Sequence, residues 1–156
     1  MRKLFVLAPL ALAVVLATVA PASAAGKPKV DFDGHGTYSM AGDGSAVLGG
    51  AATGEPFDGT YTATLSASDG TLPDAGACEE GTATVRLDGS RGRFLELVAA
   101  GDVCGKHLQP PYVVTHLFTG RYDVDSSWQK RFLGTDGFLE VYLATEGRAG
   151  VLAIDT

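Results

Sequence analysis

From Lys27 onward, apolar and polar residues alternate with a period of two, and clusters of Gly, Pro and Asp interrupt the alternation. No apolar repeat at helical spacing is sustained. The plainest segment is Thr60–Ala67, where Thr60, Thr62, Thr64 and Ser66 fall on one side and Tyr61, Ala63, Leu65 and Ala67 on the other. That is the pattern of a strand buried on one face. The same reading predicts strands over Val30–Ser39, Ala46–Ala52, Thr82–Leu87, Phe94–Ala100, Tyr112–Val124, Phe138–Ala144 and Ala149–Asp155. About eight short strands at turn-punctuated spacing predict an all-β chain, a single antiparallel β-sandwich or small β-barrel.

Two of the pairings can be registered from the residues alone. If Leu87 faces Leu95, then Val85 faces Leu97 and Ala83 faces Ala99 on the apolar side, while Arg86 faces Glu96 on the polar side. A slip by one residue would set Val85 against Glu96 and spoil both faces. Extended outward, this register sets Cys78 opposite Cys104, the only two cysteines. Directly opposed residues come within disulfide range, so the sequence predicts one structural disulfide. A redox pair would more usually be spaced CxxC, and zinc would need further ligands that His35, His107 and His116 do not supply at a recognised spacing. Near the C-terminus, Val141 facing Leu152 and Leu139 facing Ile154 across a turn at Thr145–Arg148 make the last strand part of the core. The longest strand candidate, Tyr112–Val124, is expected to bend at Gly120.

The first 25 residues break the β pattern. Arg2 and Lys3 precede an uncharged apolar run to Ala20, then Pro21 and the small residues Ala22, Ser23, Ala24 and Ala25. That order is a secretory signal peptide over 1–25, leaving 26–156 as a single secreted all-β domain. No second apolar span follows, so no membrane attachment is expected once the signal is removed. Absent asparagine, a single isoleucine and abundant Ala, Gly and Val suit a GC-rich bacterial genome.

Charge narrows the partners. The full chain carries 12 Lys and Arg against 18 Asp and Glu, and the signal removes two cations, so the mature chain is near −8. A surface of that sign disfavours nucleic acid. No catalytic motif is present: the serines in GDGSAV and DGSRG lie beside glycines but not in a nucleophile elbow. DFDGHG at Asp31–Gly36 has the alternating carboxylates that open a calcium loop. His35, however, stands where an oxygen ligand is required, and Gly42 where a closing Glu belongs, so no metal or other cofactor is expected.

Two sets of residues remain as candidate binding sites. The connection SSWQKRFLGTDG gathers Trp128, Lys130 and Arg131, with Arg121 nearby in sequence, and aromatic plus Arg or Lys is the composition of a recognition hot spot. The competing structural role puts Trp128 and Phe132 in the core and leaves the cations in solvent. The alternative site is an interior one, where His116, Tyr112 and Tyr122 share one face of the long strand and would line a barrel cavity for a small ligand or for catalysis. The first set predicts a non-enzymatic binding or structural module with an extracellular or cell-envelope partner. The second predicts a small-ligand barrel or a barrel enzyme.

Overall fold

The computed structural model describes residues 26–108, 113–144 and 149–156. Residues 1–25, where a signal peptide is expected, Tyr112, and residues 145–148, where a turn is expected, lie outside the described residues. Eight strands run in chain order: β1 (Asp31–Met40), β2 (Ala46–Glu55), β3 (Gly59–Ala67), β4 (Cys78–Gly89), β5 (Phe94–Leu108), β6 (Val113–Ser127), β7 (Asp136–Ala144) and β8 (Ala149–Asp155). Each pairs antiparallel with the next, and β8 pairs with β1, so the sheet closes into a barrel. Of the two architectures the pattern allowed, the barrel is the one adopted.

Both sequence-derived registers are present. Leu87 faces Leu95, Val85 faces Leu97, Arg86 faces Glu96 and Cys78 faces Cys104. Val141 faces Leu152 and Leu139 faces Ile154. Arg86 donates from Nη1 to Glu96 at 2.5 Å across the outer face. Cys78 and Cys104 are joined, with Cα atoms 4.0 Å apart. The disulfide lies on the outer face, because Val103 and the series Gly81, Ala83, Val85, Leu87 occupy the inner one.

The β4–β5 hairpin is longer than its alternating pattern suggested. The ladder runs on through Glu79, Glu80 and Gly81 opposite Val103, Asp102 and Gly101, because cross-strand pairing continues where side-chain polarity stops signalling it. The register irregularity of β6 lies elsewhere than at Gly120, where the bend is expected. Gly120 stays in register between Gly101 and Leu139, and the ladder breaks instead near Asp125, where Leu97 pairs with Val124 but Glu96 with Ser126. The glycine serves packing: a Cβ at 120 would lie 2.6 Å from the Phe118 ring and the same distance from the Ala100 carbonyl.

Eight strands enclose a space that side chains can just fill. Here Phe32, Leu48, Tyr61, Leu65, Leu87, Leu97, Phe118, Tyr122, Leu139 and Leu152 all point inward and are essentially inaccessible. The two interior tyrosines lie across glycines of other strands, Tyr61 over Gly34 and Tyr122 over Gly137, each 2.9 Å from where a Cβ would stand. Ring and glycine together fill the volume that two ordinary side chains would contest. DFDGHG falls within β1, paired with β2 on one side and β8 on the other, so its backbone is held straight and does not curl into a loop.

Candidate functional site

The barrel has two unlike ends. At the end where β6 delivers the chain into β7, four aromatic rings form a plug. Phe32 meets Phe57 edge-on at 5.4 Å, Phe57 meets Trp128 edge-on at 5.2 Å, and Trp128 stacks on Phe132 at 4.8 Å. Phe132 is buried and Trp128 half-buried against the core. A short 3-10 turn, Lys130–Phe132, explains the split: it sends Phe132 inward and leaves Lys130 and Arg131 in solvent. The aromatic half of this connection thus packs into the fold, and its cationic half faces out.

Those cations have neighbours that sequence reading missed. The Arg131 guanidinium lies 4.8 Å from the Phe132 ring centre, and that of Arg93, from the β4–β5 turn, lies 5.3 Å from the Phe57 ring centre. Two arginines therefore flank the plug, each held by an aromatic face. Among the described residues neither has a carboxylate within ion-pair distance, though Arg93 also donates to the Ser90 carbonyl and hydroxyl. Pro28, Lys29, Glu55, Pro56, Arg131 and Phe132 line a cleft of about 380 Å³ beside the plug. Lys29 is paired with Asp31 at 2.6 Å, which raises its affinity for its proton. Arg93 and Lys29 carried no local signal, since only the tertiary fold brings Lys29 to the cleft beside Arg131 and Arg93 to the Phe57 ring of the plug.

Arg121 is not part of this group. It projects from the outer wall between Ala100 and Phe138, with its guanidinium 5.2 Å from the Phe138 ring centre and 3.8 Å from Asp136. Asp136 is also held by Lys27, and these two cations lower its carboxyl pKa, Lys27 most. Arg121 is thus engaged in a surface ion-pair network.

At the opposite end, the β3–β4 connection Ser68–Ala77 crosses the barrel mouth as a strap. It is tied to β5 by a parallel bridge at Ala75 and Gly105, with Gly76 N–H donating to the Gly105 carbonyl at 2.7 Å and Gly105 N–H to the Ala77 carbonyl at 2.9 Å. His116 is half-buried here and donates from Nε2 to the Pro73 carbonyl at 3.0 Å. Beside it, Tyr38, Met40, Leu72 and Pro73 contribute to the walls of a hollow of about 610 Å³. Tyr122 sits at the other end, its hydroxyl donating to the Val30 carbonyl at 3.5 Å. Six residues along one strand separate His116 from Tyr122, about 20 Å, with Phe118 filling the barrel between them. The two do not converge on a single interior site.

Both ends of the barrel carry carboxylates, and at the plugged end Asp31, Glu55, Asp58, Asp88, Asp136 and Asp155 stand among the cations. Lys27, Lys29, Arg91, Arg93, Lys130 and Arg131 lie at the plugged end, while Asp43, Asp69, Asp74, Glu79 and Glu80 surround the strap. Among the described residues no helix is long and apolar enough to cross a membrane, and no cluster of three or more His, Cys, Asp or Glu could hold a metal ion. The outer wall carries Asp33, Arg86, Glu96, Asp102, Arg121 and Glu140 over an apolar interior, the inverse of a transmembrane barrel. No protein-family model matches the chain, and no curated protein or solved structure is significantly similar to it.

Proposed function

We propose that this protein is a secreted, non-enzymatic binding module whose plugged end engages an anionic group on an extracellular or cell-envelope partner. The observation behind this reading is the pair of arginines, Arg93 and Arg131, each fixed on an aromatic face and neither opposed by a carboxylate among the described residues. A guanidinium held by stacking loses less freedom on binding than a free one, and its planar fork suits a carboxylate or phosphate. Lys130 adds charge at the rim, where it would act mainly on the rate and salt dependence of association. Glu55, on the wall of the same cleft, would turn away anions that approach from its side.

A filled interior supports the binding-module reading over a ligand carried inside the barrel. The test uses immobilised anionic polymers, one bearing phosphate and one bearing carboxylate, over a range of salt concentrations. The native protein is expected to be retained at low salt and released as salt rises. Lys130→Glu with Arg131→Glu should abolish retention, and Arg93→Gln should weaken it. Equal retention of native protein and the double variant on both polymers would sink the proposal.

A further inference from the structure

Glu79 extends the inward series Gly81, Ala83, Val85 and Leu87 one step toward the strapped mouth, opposite the buried Val103. Its Oε2 is sealed from solvent and has no hydrogen-bond partner. A charged oxygen in that position is costly, because burial removes its water and nothing replaces it. The ionisable group beside it, within hydrogen-bonding reach, is the Asp69 carboxylate of the strap. Asp69 is itself fixed, its Oδ1 accepting the Thr71 N–H at 2.8 Å. Two carboxylates can share a hydrogen bond only if one of them holds a proton.

We propose that Glu79 is protonated when the strap is closed, donates from its carboxyl to Asp69, and so latches Ser68–Ala77 over the barrel mouth in acid and releases it as pH rises. The proton balance is simple: opening exposes the Glu79 carboxyl to water, to which it gives its proton, leaving two carboxylates that repel each other. Among the described residues no neighbouring cation offsets this. The adjoining end of β3 offers Ser66 and Ala67, β5 turns Asp102 and Lys106 outward, and β4 turns Glu80 outward. On the strap Asp74 is exposed, and on β6 His116 is committed to the Pro73 carbonyl. Burial first, and Asp69 second, raise the Glu79 carboxyl above the ordinary carboxylate range.

The strap is bounded by two glycine turns. Gly70 and Gly76, with φ of +85° and +84°, bracket it, and no non-glycine side chain takes those angles without strain. Its other ties are few: the two Gly105 hydrogen bonds, the His116 bond and Ser68 N–H to the Glu80 carbonyl at 2.8 Å. Leu72 and Pro73 are the apolar side chains it buries at the mouth, and lifting them would enlarge the hollow beside Tyr38 and His116.

The closed strap binds a proton that the open one gives up, so its stability is complete below the ordinary Glu pKa of about 4.3 and falls as pH climbs to the raised value. The closed-to-open ratio should change about tenfold per pH unit in that window. Amide hydrogen exchange at Gly76 and Gly105, corrected for intrinsic chemistry, and the Glu79 carboxyl carbon resonance read the two halves of the claim. In the native protein, protection of both amides should fall across the window in step with titration of Glu79. Glu79→Gln keeps a donor to Asp69 at every pH and should give protection that does not vary with pH. Asp69→Asn, which can donate to the Glu79 carboxylate, should move the titration of Glu79 and the loss of protection together to lower pH than in the native protein, and serves as the second variant if Glu79→Gln fails to fold. The latch is overturned if Glu79 of the native protein titrates in the ordinary range, if protection is constant across the window, or if Glu79→Gln keeps the native pH dependence.

Discussion

Trp128 stacks on Phe132 with ring centres 4.8 Å apart and planes 29° apart, and it meets Phe57 in a T-shaped contact. Residues 57, 128 and 132 thus form one layer closing the barrel end. Trp128→Ala is therefore expected to destabilise the fold by about 3 kcal/mol, read as a lower denaturant midpoint with unchanged slope. Lys130→Glu with Arg131→Glu should cost no more than about 1 kcal/mol, since only the Arg131 contact with Phe132 is lost. If the two variants change stability equally, the division between inward rings and outward cations is wrong.

The Cys78–Cys104 bond joins residues 26 apart in sequence, at the open end of a hairpin already aligned by its own ladder. Loop entropy puts its contribution at about 3.5 kcal/mol at most. Replacing both cysteines with serine should lower Tm and leave the circular dichroism of the folded protein unchanged. Intact mass under denaturing conditions should show thiols reacting with alkylating agent only after reduction. Thiols that react without reductant would refute the bond.

Closure rests on β8. Ile154 is buried and lies between Phe32 of β1 and Leu139 of β7. Ile154→Ala should cost roughly 2 to 5 kcal/mol, and deletion of residues 150–156 should leave β1 and β7 unpaired and prevent a cooperative melt. A truncated chain that still melts cooperatively near the native Tm would show that the β1–β8 seam is dispensable.

Tyr122 gives the fold an alkaline limit. Its hydroxyl pKa is raised, first by burial and then by the nearby carboxylates Asp155, Asp136 and Asp31. Burial also raises Tyr61. The folded state holds these protons where the unfolded chain would release them, so stability is fully present below the ordinary tyrosine pKa of about 10 and declines above it. Tyr122→Phe keeps the ring over Gly137 and removes the ionisable group. Denaturant midpoints at about pH 8 and about pH 11 should therefore differ less in Tyr122→Phe than in the native protein. An equal difference in both would assign the alkaline loss elsewhere.

The alternation of residues determined the strands, the inward face of each, and the registers of β4 with β5 and β7 with β8, because a two-residue period on a half-buried sheet leaves one pairing that spoils neither face. The facing cysteines followed from the same arithmetic. Tertiary structure decided the rest. Whether the sheet closed depended on Phe32 meeting Ile154, a pairing between chain ends that no local pattern encodes. Trp128 and Lys130 were visible together as a cluster, yet only the 3-10 turn at Lys130–Phe132 fixed which side chains entered the plug. Arg93 reached the same end, and Arg121 left it for the outer wall, through strand order alone. Glu79 and Asp69 read as two acids among many until the strap folded one against the other. Periodicity reports which face a side chain occupies, a property of its own strand. A site depends on which strands the closed barrel sets side by side, and that is fixed by contacts distant in sequence.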